Sequence, residues 1–228
     1  MGAIYASRQD ISFMIKEAME ANWKKLAPLI DPSLLKSGFI KGRKIKDLLA
    51  GYLGGNINFS DLKIPFACVA TDIDTGEEVV INSGPVTDAI RASISIPGIF
   101  TVVKREGRYL VDGGLTTPVP VKVVKQMGAD FVIAVNVNPD VTSRMGKTYR
   151  QRVEKRKEPN IFQVMMQSIY ITTYAVAYNN LLEADIVIEP DLLHIGAGEF
   201  SKAGELIEQG RQAAQEAMPR IKGRLAEL

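Results

Sequence analysis

Few residues in this chain could do chemistry, and they are scattered. The most suggestive group is Asp112-Gly113-Gly114, which closes the short apolar run of Arg108-Tyr-Leu-Val111. An acid at a strand end, followed by two residues without bulky side chains, lets another backbone or a substrate come close. In α/β proteins, sites collect at such strand ends. An ionised carboxylate there could serve as a general base. Asp-Gly is also ordinary turn chemistry, because both residues tolerate turn geometry. The local residues leave both readings open.

The other candidates are weaker. His194 is the single histidine, in Leu193-His-Ile-Gly-Ala-Gly, and reads as a loop or structural residue. No Gly-x-Ser-x-Gly nucleophile motif occurs. Ser93 and Ser95, in "RASISIPGIF", lack the flanking glycines that expose a hydroxyl on a tight strand-to-helix turn. Asp72, Asp74 and Glu77 faintly resemble a calcium loop but lack its remaining ligand positions, so a hairpin turn explains them better. With no Cys/His cluster and no Gly-rich phosphate loop, neither a metal nor an organic cofactor is expected. Cys68, the single cysteine, lies in an apolar run and reads as a buried small side chain. One cysteine forms no internal disulfide, which points to a reducing, cytoplasmic compartment.

These residues must be positioned by alternating helices and strands. Asp10 caps a helix running to about Ala27, closed by Pro28. A helix from Lys44 to Leu53 stops at Gly54-Gly55. Leu62–Thr71 and Glu78–Asn82 read as strands joined by the turn Asp74-Thr-Gly76. A helix follows over Pro85–Ser93, with Thr87 as its cap. Phe100–Val103 and Arg108–Val111 form a hairpin around Glu106-Gly107. Then come a helix over Pro118–Met127 and a strand over Phe131–Asn136 of the kind buried on both faces. A helix over Asn160–Leu182, a strand over Ile186–Glu189 and a helix from Ser201 to about Leu225 complete the chain. The alternation makes the class α/β.

With 228 residues, 46% of them hydrophobic and 24% charged, the chain suits one soluble globular domain. A net charge of +2 implies no strong basic face, so nucleic acid is not an expected partner. No apolar run approaches the length of a bilayer span, and the N-terminus is not a secretory signal. Residues 143–159, "SRMGKTYRQRVEKRKEP", read as a solvated, mobile basic loop. Positions 144–157 could also meet the headgroups of an anionic membrane.

Five stretches carry a resemblance: "GFIKGRKIKDLLAGYLGG", "ATDIDTGEEVVINSG", "DAIRASISIPGIF", "LVDGGLTTPVPVKVVKQMGADFVIAVNV" and, more weakly, "AGEFSKAGELIEQGRQAA". Together and in this order they resemble the bacterial patatin-like phospholipases. The resemblance implies a three-layer α/β sandwich with a central, mostly parallel sheet. It implies a lipid acyl hydrolase that works on a lipid or acyl ester through a Ser-Asp dyad, without a catalytic histidine or a cofactor. Asp112 would be the dyad's general base, and Gly113 and Gly114 would permit its close approach. The family's oxyanion loop and nucleophile elbow precede the matching region, and neither is in these 228 residues. "MGAIYAS" resembles the helix after the elbow, with the serine either immediately before Met1 or, preferably, several residues further upstream. The expectation is therefore a single patatin-like domain over 1–228 that lacks its first strand-helix-strand, starts at an internal Met and is inactive as it stands. The alternatives are a non-catalytic lipid-binding or regulatory protein of the same fold, and an α/β domain with an unrelated ligand.

Overall fold

A computed structural model describes residues 1–33, 37–138, 158–192, 194–196 and 198–227. The basic positions 144–157 lie outside the described residues. The chain divides into two units, Met1–Thr116 and Thr117–Leu228. Both combine helices with strands, and each contains a parallel strand pair, so the α/β class holds.

The first unit opens with α1 (Gly2–Arg8), which buries Ala3, Ile4 and Ala6. Asp10 caps α2 (Ile11–Glu20) by accepting from the Phe13 amide at 2.9 Å. The expected run to Ala27 is broken. Ala21 turns extended, and the Asn22 side chain caps a new short helix, α3 (Trp23–Leu26). A local cap outweighs the apolar periodicity because it satisfies helix amides that otherwise have no partner.

Strand β1 (Gly38–Ile40) occupies the start of a stretch whose helical part, α4 (Arg43–Leu53), begins only after Gly42. The helix ends at Gly54 with φ +84°, as its glycine pair implies. Strand β2 (Cys68–Asp72) is shorter than the expected Leu62–Thr71, because the amides of Lys63 and Ile64 turn to the Ala6 carbonyl of α1 instead. Next come β3 (Glu78–Ile81) and α5 (Val86–Ser93). Thr87 is not the cap of α5. Pro85 holds that position, and the Thr87 hydroxyl donates to Asn56 Oδ1 at 2.9 Å. Phe100 is not part of the hairpin either. It ends β4 (Gly98–Phe100), which pairs with β1 in parallel. The hairpin joins β5 (Val103–Arg105) to β6 (Arg108–Asp112) through Glu106 and Gly107. Their φ values of 51° and 82° suit the tight turn that matches strand twist.

Four of these strands form an antiparallel sheet in the order β3-β2-β6-β5. All five residues of β2 are buried. Cys68, Ala70, Ile81, Ala89, Ala92 and Leu110 form a core that joins this sheet to α5. A large side chain as fully buried as Leu110 contributes roughly 1.5–3 kcal/mol. A second cluster packs Ala3 and Ile4 of α1 on Leu53 and Val86.

The second unit contains α6 (Val121–Gln126), β7 (Ile133–Val135), α7 (Ile161–Leu181), β8 (Ile186–Ile188) and α8 (Ala203–Leu225). Strands β7 and β8 run parallel. Asn160 and Gln163 form a capping box at the start of α7. Strand β7 is not buried on both faces as its apolar run implied. Ala134 packs with Val119, Val121, Val132, Ala177 and Leu181, while Ile133 and Val135 are 43% and 50% exposed. The second face of β7 is thus about half exposed.

Candidate active site

Strand β6 carries Asp112 to its C-terminal end, where Asp112 pairs with Ala70 of β2. Leu110 and Val111 are both buried, which anchors the strand on its two faces just before the acid. The Asp112 main chain is held on both sides. Its N–H donates to the Ser95 carbonyl at 3.0 Å, and its C=O accepts from the Thr71 hydroxyl at 3.0 Å. The Thr71 and Thr116 hydroxyls lie 2.9 Å apart and extend this clamp.

The carboxylate itself caps a short 3₁₀ turn, Gly113–Leu115, accepting from the Gly114 amide at 2.7 Å through Oδ1. Gly113 is required by space. A Cβ there would lie 2.2 Å from the Val69 carbonyl oxygen and 2.6 Å from its carbon. The chain can therefore leave β6 directly across β2 only without a side chain. Burial pushes the Asp112 carboxyl above its ordinary value, and the single Gly114 amide only partly opposes that. The result is a fixed, partly desolvated acid, a better proton acceptor once ionised than an aspartate in water.

The other sequence candidates are committed elsewhere. Ser95 is fully buried, with its hydroxyl between Arg91 Nη1 at 2.6 Å and the Arg91 carbonyl at 2.7 Å. It is not placed to attack a substrate. Asp72 and Asp74 shape the β2–β3 turn, where the Asp74 amide donates to Asp72 Oδ1 at 3.0 Å. Arg108 takes up Glu77 at 2.8 Å and Asp72 at 3.5 Å. His194 lies in the second unit, half-exposed, with Nε2 2.6 Å from Glu205 Oε1. That is a surface pair worth about 0–1 kcal/mol. Cys68 is buried, and burial pushes its thiol up to about 12. Arg91, Thr71 and Thr116 were missed in the sequence. For Arg91 the available signal was a lone charge among Ala89, Ile90 and Ala92.

The family model described as patatin-like phospholipase matches residues 1–125. The chain belongs to the patatin-like phospholipase family. Its relatives include an uncharacterized NTE family protein of Mycobacterium tuberculosis, 37% identical over 52% of this chain and 34% of its own length. Another uncharacterized NTE family protein, from Mycobacterium bovis, is 27% identical over 84% of this chain and 35% of its own length. A lysophospholipase NTE1 of Pyricularia oryzae is 22% identical over 97% of this chain and 16% of its own length. The chain thus spans about a third of the length of the curated relatives it matches first. Within this patatin-like chain, the matched segment contains Asp112 together with the strands and clamp that hold it. Among the described residues, no helix is long and apolar enough to cross a membrane.

Proposed function

We propose that this protein is a lipid acyl hydrolase of the esterase or phospholipase type, with Asp112 as the general base of a Ser-Asp dyad. The observation that carries this reading is the Asp112 carboxylate. It is clamped through its main chain, capped through one oxygen and raised in pKa by burial. Once ionised, it takes the proton from a serine hydroxyl as that oxygen attacks the ester carbonyl. The same proton passes to the departing alcohol, leaving an acyl-enzyme. Water then attacks the acyl-enzyme, with the carboxylate again as base, and releases the fatty acid. No Gly-x-Ser-x-Gly occurs within the 228 residues to supply that serine.

The test compares hydrolysis of p-nitrophenyl esters and phospholipid vesicles by the 228-residue chain and by a form extended through the upstream reading frame. The extended form is expected to be active, and its Asp112→Asn variant inactive. Equal activity of the extended wild type and Asp112→Asn would remove Asp112 from the dyad.

A second reading is a lipid-binding or regulatory protein without catalysis. It is favoured by the absence of Gly-x-Ser-x-Gly and by the basic positions 144–157. It predicts that the 228-residue chain floats with anionic vesicles at low salt. Failure to float there counts against it.

A further inference from the structure

Arg91 is the one charged side chain among the buried residues of α5, only 6% exposed. Its guanidinium reaches three separate segments. Nε and Nη2 donate to the Lys41 carbonyl at 3.1 and 2.7 Å, and Nη2 also donates to the Thr101 carbonyl at 3.0 Å. Nη1 donates to the Ser95 hydroxyl at 2.6 Å. One face of the guanidinium lies 5.0 Å from the centre of the Phe100 ring. Room for the fork comes from Gly42, where a Cβ would sit 2.2 Å from Nε. Burying a guanidinium is costly unless its N–H groups are bonded, and here all three nitrogens donate. The nearby carboxylate is Asp31, which itself accepts the Gly42 and Arg43 amides.

One of the three segments is the support of Asp112. Ser95 accepts from Arg91 through its hydroxyl and from the Asp112 N–H through its carbonyl, the latter at 3.0 Å. The fork ties this residue to Lys41 and Thr101, which follow the paired strands β1 and β4. Ser95 is therefore fixed against two strands and a helix, and Asp112 is fixed against Ser95.

We propose that Arg91 is the positioning residue for Asp112, acting through Ser95 to hold the acid's main chain where its carboxyl can work. The acid's catalytic role rests on the dyad reading, whereas the mechanical link does not. The causes that perturb Asp112 are burial and the Gly114 amide, and Arg91 is not among them. Arg91 therefore acts by geometry, and Arg91→Lys, which keeps the charge and loses the planar fork, isolates that role. Ser95→Ala breaks the same link while keeping the carbonyl.

The experiment uses the 228-residue chain and two residue-specific readouts, the carboxyl ¹³C titration of Asp112 and the exchange rate of its amide. Circular dichroism shows which variants are folded. In Arg91→Lys the Asp112 midpoint is expected to move down towards an ordinary aspartate as water reaches it. Its amide should exchange about fivefold faster, the factor for losing a hydrogen bond of about 1 kcal/mol. Ser95→Ala should move both readouts in the same direction by less. A folded Arg91→Lys whose Asp112 titration and exchange match wild type overturns the proposal. If Arg91→Lys does not fold, Ser95→Ala decides on the same two readouts. None of these outcomes depends on hydrolysis, so the dyad reading stands or falls separately on the extended Asp112→Asn protein.

Discussion

Replacing Gly113 by alanine adds one carbon where β6 leaves across β2. That carbon would stand 2.2 Å from the Val69 oxygen, 2.6 Å from the Val69 carbon and 3.2 Å from the Ala70 nitrogen. The first contact is about 1 Å shorter than non-bonded atoms tolerate. All three atoms are backbone in a strand paired on both sides, through Ala70↔Val79 and Ala70↔Asp112. The strand is also buried along its whole length, so it has no open direction in which to retreat. Overpacking of this kind costs about 1–3 kcal/mol, and the rigid partners place this case near the top of the range. At roughly 2–4 °C per kcal/mol for a chain of this size, the melting temperature should fall by about 6–12 °C. Gly107→Ala is the control. Gly107 sits at φ +82° with open space around it, so its cost is only the left-handed conformation, about 1–2 kcal/mol. Thermal melts and urea titrations of the 228-residue chain, followed by circular dichroism, compare the two. A Gly113→Ala protein that melts with wild type, or falls no further than Gly107→Ala, would falsify the steric account of the Asp-Gly-Gly step.

Asp112→Asn should stabilise the chain at pH 7 and change little at pH 3. The folded carboxyl has a raised pKa, so the folded chain holds its proton more tightly than the unfolded one. That contribution is full below the unfolded value, near 3.8, and is lost as pH rises through the folded value. Asparagine keeps an acceptor for the Gly114 amide and never ionises, so equal differences in urea midpoint at both pH values would contradict the burial argument. In the extended form the same raised pKa makes hydrolysis fall as pH drops through it, which a pH–rate profile reads directly. Cys68, buried and with its thiol near 12, should resist a thiol-reactive disulfide reagent in buffer and react in urea; rapid native labelling would mean that its strand opens. Asn160→Ala should cost about 0.5–2 kcal/mol by removing the capping box of α7, measured as a lower urea midpoint.

Some features were legible because their causes are local. Asp10 caps the helix it precedes, Gly54 ends α4, and Glu106-Gly107 turns the hairpin, each within a few residues of its effect. The same holds for the placing of Asp112 at a strand end. The break at Ala21 is also local: the Asn22 side chain caps α3, and the apolar period alone had carried the helix on to Ala27. Phe131–Asn136 failed for a different reason. An apolar run states which side chains avoid water, not how many faces have a neighbour.

The sequence by itself determined that an acid and two glycines end a strand in an α/β chain, and its ordered motifs carried the family resemblance. Only the tertiary structure decided what makes that acid unusual. Gly113 is needed because of Val69, 44 positions earlier, and the Asp112 carbonyl is held by Thr71, 41 positions earlier. Arg91 steadies Ser95 only by also reaching Lys41, 50 positions away. Such partners are set by the pairing of strands and the packing of α5 against them. Apart from the Arg91–Ser95 step, no short window of sequence contains both ends of these contacts, so burial, close approach and the guanidinium fork emerge only when the chain is folded.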